Sequence, residues 1–144
     1  VADLHDGIAR HLAALGLVAY DPAGPGPNDV FFDVMPASPD EAVCLTVYGG
    51  APLDSLLPYD SPSLQVRTRG PATAVGRATA RARAQDLYSE LHGLGPVDLP
   101  DGTRLILAVA NQSPGSMGQD DLGRLDYVFN LALELYAPSV HRPA

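Results

Sequence analysis

The chain has 144 residues, 46% of them hydrophobic, the size of one ordinary domain around one continuous core. No run of about 18 apolar residues is present to cross a bilayer, and the start Val1-Ala2-Asp3-Leu4-His5-Asp6 lacks the basic-then-apolar order of an export signal, so a soluble, unexported protein is expected. The net charge of −8 arises entirely in residues 1–60, where nine acids face Arg10 alone; residues 61–144 balance eight acids with eight arginines, and such an acidic chain is disfavoured as a direct binder of nucleic acid.

Leu4, Ile8, Leu12 and Leu15 recur every three or four positions and predict an amphipathic helix that Asp3 caps and Gly16 ends. Pro22, Pro25 and Pro27 alternate with Gly24 and Gly26, which predicts a surface loop. Val30 to Met35 and Ala42 to Tyr48 read as strands bounded by Pro36, Pro39 and Gly49-Gly50. The single cysteine, Cys44, lies inside the second strand and is expected to be a small core residue. Gly49 to Ser61 is a long connection that is unusually apolar, with Leu53, Leu56, Leu57 and Tyr59. These side chains either fold back over their own core or serve as contacts.

Ser63 to Arg69 alternates as a strand, with Leu64, Val66 and Thr68 on a core face and Gln65, Arg67 and Arg69 on a polar one. Gly70-Pro71 breaks it into a long helix, on which Thr73, Gly76, Ala80, Ala84, Leu87 and Leu91 form one narrow arc. The pairs Arg77/Arg81 and Asp86/Glu90 read as solvated flanks. His92 is placed to favour the helix dipole, and Gly93 to cap the end. Val97 to Leu99 and Thr103 to Ala110 flank a Pro100-Asp101-Gly102 hairpin turn. Asn111 to Gly123 reads as a polar loop around Met117. Arg124 to Tyr136 reads as an over-long strand whose odd-numbered face is core and whose far end leaves the domain, with residues 137–144 as a tail. One domain spanning residues 1–144 is expected.

No arrangement of reactive groups stands out. His5 and His11 are six positions apart, about 240° around a helix, so they diverge rather than share a metal. Ser116 in Gly115-Ser116-Met117-Gly118 lacks the spacing of a hydrolase nucleophile elbow, and Gly49-Gly50 leads to no helix that would hold a phosphate. No catalytic, cofactor or metal residue is assigned. An enzyme or ligand-binding domain would need a deep pocket with convergent polar groups. Two long loops carrying apolar residues, a long last strand, an acidic N-terminal portion and an arginine-bearing remainder point instead to an interaction protein.

Pro62-Ser63-Leu64-Gln65-Val66-Arg67-Thr68-Arg69-Gly70, followed at helix distance by Glu90-Leu91-His92-Gly93-Leu94, then Arg104 to Val109 and Gly118 to Leu133, resembles the tailed-bacteriophage minor capsid and tail-completion family, whose relatives include tail terminator proteins. The resemblance implies an α/β fold of the α+β type: a mostly antiparallel sheet of about five to six strands packed by an N-terminal helix and one long central helix. It further implies a non-enzymatic virion protein without cofactors, assembled in the host cytoplasm. Six copies would form a ring at the head-tail junction, against tail tube and head connector, with DNA passing through unread and no membrane involved. A head-completion or connector-bound minor capsid protein is the neighbouring alternative. Candidate contacts with tube or connector are Leu53, Leu56, Leu57, Tyr59 and Met117; Arg67, Arg69, Arg77 and Arg81 are candidate partners for a neighbour's acids.

Overall fold

The computed structural model describes residues 3–143. Helix α1 (Leu4–Ala14) begins where the Asp3 carboxylate accepts the amides of His5 and Asp6, and buries Ile8, Ala9 and Leu12. It closes in a Schellman motif: Gly16 at φ 75° donates to the Ala13 carbonyl and Leu17 to that of Leu12. Leu15, expected on the buried stripe, is instead the exposed C-cap residue, because the chain turns away before its side chain reaches the core. Tyr20 returns against α1 and donates to Asp6 at 2.6 Å; burial first, then that carboxylate, pushes its hydroxyl pKa up to about 12.

The strands form one mixed sheet: β1 (Val30–Phe32), β2 (Ala42–Tyr48), β3 (Tyr59–Asp60), β4 (Ser63–Arg69), β5 (Val97–Asp98), β6 (Arg104–Ala110), β7 (Gly115–Gln119) and β8 (Leu125–Tyr136). Its order is β1-β2-β4-β8-β6-β5, parallel only at β1-β2, with β3 and β7 also paired to β8. The class is α+β and mostly antiparallel, as expected. β1 is shorter than the predicted Val30 to Met35 because Asp33 takes a left-handed backbone, φ 68°, and ends the ladder.

β8 is the sheet's rib. Along one edge it pairs with β4 over Asp126 to Ala132 and with β3 at Leu135 and Tyr136. Along the other it pairs with β7 at its start and with β6 from Leu131 to Tyr136. Its length therefore has an internal cause, and the expectation that the far end leaves the domain is overturned: Tyr136 lies between Tyr59 and Arg104. Two stretches expected to be loop, around Tyr59 and around Met117, supply short strands because β8 offers them open backbone groups. Phe129, Leu131, Leu133 and Leu135 on the odd-numbered face meet Leu64, Val66, Val43 and Leu45 beneath the helices.

Helix α2 (Ala74–Leu91) is capped by Thr73, whose hydroxyl accepts the Gly76 amide at 2.9 Å; it buries the predicted arc from Gly76 to Leu91, while Thr73, expected on that arc, is exposed at the cap. The small half lets helix and strand approach until buried Thr68 donates its hydroxyl to the Ala80 carbonyl at 2.9 Å. At Gly76 an added Cβ would overlap the Pro71 carbonyl oxygen. His92, expected as a cation over the helix end, instead accepts the Ala110 amide at its Nδ1, 3.0 Å away, tying the helix exit to β6. Gly93 then takes the positive φ expected of it.

A Gly76→Ala change raises intrinsic helix propensity yet should destabilise the protein by about 1–3 kcal/mol through overpacking. Urea unfolding of the variant checks this; an unchanged or raised midpoint would show that the helix start is free to shift.

Candidate docking surface

The connection between β2 and β4 leaves and returns through a pinch: a Cβ on Gly50 would overlap the Ser61 carbonyl. Its return limb is held from three sides. Tyr59 and Tyr136 rings meet edge-on at 5.7 Å, Ala137 donates to the Pro58 carbonyl at 2.7 Å, and Arg142 reaches back to the carbonyls of Leu57 and Tyr59 and to Asp60. The residues after β8, expected as a tail, thus fold against this loop, with Ser139 and Arg142 bridged to each other.

On this anchored base the leucines face outward. Leu56 is 84% exposed, Leu53 51% and Leu57 49%, so the alternative in which they cover their own core is not the arrangement adopted. Beside them lies a hollow of about 280 Å³ lined by Tyr48, Ala51, Leu53, Pro62 and Leu135. It continues past Ala51 and Ser61 into a second depression of about 370 Å³ lined by Leu107, Val109 and Ala132. Leu107, Val109 and Tyr48 are exposed members of this patch that the loop-based reading missed. Their signal was present: Leu105-Ile106-Leu107-Ala108-Val109 is apolar without alternation, so both faces of that strand carry hydrocarbon. A contiguous exposed apolar patch on a rigid base is the usual mark of a protein-protein contact.

The second surface is the β7-β8 hairpin, at the opposite end of the rib. Met117 is 57% exposed there and Leu122 66%. From Tyr127, opposite Ser116, to Tyr136, opposite Tyr59, is nine residues of β8, roughly 30 Å at strand rise. The hairpin turn is organised by Asp120, whose carboxylate accepts the amides of Leu122 and Arg124 and the Arg124 guanidinium at 2.8–3.0 Å. Arg124, buried, also holds Asp40 and the Ala37 carbonyl; Arg69, buried beside it, donates to the carbonyls of Pro39 and Asp40.

The arginines are largely spent inside the fold. Arg67 pairs with Asp126, Arg83 with Asp29, Arg142 with Asp60, Arg10 with Asp6 and Arg104 with Asp98. Arg77 donates to the Gly123 carbonyl at 3.1 Å, and Arg81, exposed, lies 3.4 Å from the Tyr127 hydroxyl. Of the four candidate arginines, Arg67 and Arg69 act as struts within the sheet, whereas Arg77 and Arg81 lie along the α2 flank near the hairpin. Exposed Glu41, Asp54, Asp86, Asp121 and Glu134 have no cationic partner among the described residues. Cys44 is buried, and burial pushes its thiol pKa up, which makes it a poor nucleophile. Among the described residues no three or more His, Cys, Asp or Glu side chains are placed to hold a metal ion, and no helix is long and apolar enough to cross a membrane.

A family model described as a bacteriophage tail terminator protein matches residues 11–137 of the chain. No curated protein matches it.

The Arg124 amide, with the guanidinium beside it, holds the Asp120 carboxyl below the usual carboxylate range. A folded-state pKa depressed in this way contributes stability above the unfolded carboxylate pKa, near 4, and that contribution is lost as pH falls through the folded value. Asp120→Asn should therefore be less stable than the parent at pH 7, and the gap should shrink as pH falls towards 3. Urea midpoints across that range give the test; a gap independent of pH would mean that the ionised carboxylate does not hold the turn.

Proposed function

Because this chain belongs to the bacteriophage tail terminator family, we propose that it is a structural virion component that closes the tail tube and joins it to the head connector. Six 15.1-kDa copies, about 91 kDa together, would form the ring. The observation that carries this reading is the pair of exposed apolar surfaces about 30 Å apart on one rib. A protein stacked between two different neighbours needs one docking surface at each end, at a fixed separation, and a strand paired along both edges supplies a stiff spacer.

The anchored loop bearing Leu53, Leu56, Leu57 and Tyr59 is the contact for one neighbour, and the hairpin bearing Met117 and Leu122 the contact for the other. Arg77 and Arg81, beside the hairpin, are available to a neighbour's acids. Surplus unpaired carboxylates suit a ring through which DNA slides, since a negative wall repels the phosphate backbone and gives it nowhere to stick. No catalytic step is assigned to the chain.

Leu56→Asp should leave the thermal midpoint of the purified protein close to the parent value, because the side chain is 84% exposed. Placing a charge in a docked apolar contact costs about 2 kcal/mol, roughly 30-fold in affinity. In cells producing the phage with this variant as the sole copy, electron micrographs should show heads and tails separate. Normal yields of joined particles would remove the loop from the interface.

A further inference from the structure

The sheet ends in two unlike free edges at the same level. Two rows run straight across it: Val30-Val43-Thr68-Tyr127-Ser116, and Phe31-Cys44-Arg67-Val128-Gly115. β1 forms one margin of these rows and β7 the other. β1 pairs with β2 alone and β7 with β8 alone, and the outer backbone groups of Gly115 to Gln119 meet no backbone partner among the described residues. On β1 the Asp29 carbonyl and the Asp33 amide bond to β2, the Asp29 amide to Ala19 and the Phe32 carbonyl to the Val34 amide, which leaves the amide and carbonyl of Val30 and the amide of Phe32 turned outward. A groove of about 410 Å³ opens along that margin between Phe31 and the Tyr20 to Asn28 segment. The outer side of β6, by contrast, is closed by β5 and by Gly93 and Leu94.

Resting on the ring reading above, we infer that β7 of one copy adds to β1 of the next, so that the sheets of neighbouring copies join edge to edge around the ring. Within one copy the two margins are four strand spacings apart, roughly 19 Å, and cannot satisfy each other. Following the pairings across the sheet, β1 and β2 run one way, β4 the other, β8 back again and β7 opposite to β1. Copies related by rotation therefore bring β7 against β1 antiparallel, the more stable ladder.

The contact is heterologous, one margin against a different one, and rotation closes such contacts into a ring that leaves neither of these two margins free. β7 suits the role. Gly115-Ser116-Met117-Gly118-Gln119 is exposed along its whole length, uncharged and small enough for close backbone approach. β1 is only three residues long, so a single junction offers few hydrogen bonds, and a stable species needs each copy held at both margins. Asp29 and Asp33 flank β1, and Asp120 and Asp121 follow β7. Asp29 and Asp120 are each paired within their own copy, with Arg83 and Arg124, so the junction sets little like charge against itself.

Thiol cross-linking of the full-length protein tests the pairing. Phe31 and Gly115 stand at opposite ends of one row and so face the same side of the sheet, and the native Cys44 is buried. A short bismaleimide on the Phe31→Cys, Gly115→Cys double variant should give a ladder of covalent multimers on a denaturing gel. An equal mixture of the two single variants should stop at dimers, and neither single variant alone should link. Met117 has no register partner on β8. Met117→Pro should therefore keep the far-ultraviolet dichroism of the parent while losing rings in negative stain. Rings that form without the ladder, or dimers from Gly115→Cys alone, would overturn the edge pairing and leave the ring standing. A parent protein that stays monomeric at all salt concentrations and in the presence of tail tubes would overturn both.

Discussion

Two-sided hydrogen bonding of β8 is the constraint on which the architecture depends. A strand of 12 residues inside a sheet must find backbone partners along both edges, and no other strand here is long enough to supply one edge alone. Each edge is shared: β4 and β3 on one side, β7 and β6 on the other. The consequences follow from that division. The chain between β3 and β4 must kink, the chain between β6 and β7 must cross a gap, and both apolar surfaces sit where these shorter strands begin or end. The rib thus sets how far apart the surfaces are and how stiffly they are held.

Charge is arranged for the same purpose. Read along the sequence, acids gather before residue 60 and arginines after it, which suggests two patches able to attract a sibling. In three dimensions the two groups largely meet each other: Asp29 with Arg83, Asp40 with Arg124, Asp60 with Arg142. These pairs fasten the first part of the chain onto the second and leave the surface with unpaired carboxylates. A contact between copies would then rest chiefly on backbone and hydrocarbon, with Arg77 and Arg81 as the arginines left for a neighbour's acids. That requirement agrees with an uncharged β7 and with the apolar loop.

Much of this was legible in the sequence, for physical reasons that differ by element. α1, α2 and β4 are covered on one side only, so their periodicity is clean, and the buried arc of α2 could be named from Gly76 to Leu91, with Thr73 the one member that lies outside it as the cap. β7 was invisible because Gly-Ser-Met-Gly-Gln has little strand propensity; it is a strand because β8 leaves an edge open beside it. The parallel β1-β2 pair and the two sharers of each β8 edge are long-range pairings that local pattern does not encode. For the contact residues, exposure of the loop leucines could not be separated from burial by composition, since it is decided by Arg142 and Tyr136, about eighty residues away. Arg67 and Arg69 alternate as a polar face should, yet one is paired and the other buried.

The account's central claim is that one stiff strand holds two chemically distinct docking surfaces at opposite ends of the subunit. A cryo-electron microscopy map of the assembled phage neck, with this chain located in it, tests that claim most directly. The account predicts the Leu53 to Tyr59 loop buried against one neighbour and the β7-β8 hairpin against another, on opposite faces of the layer this protein forms. Both surfaces facing solvent, or both turned towards the same neighbour, would contradict it.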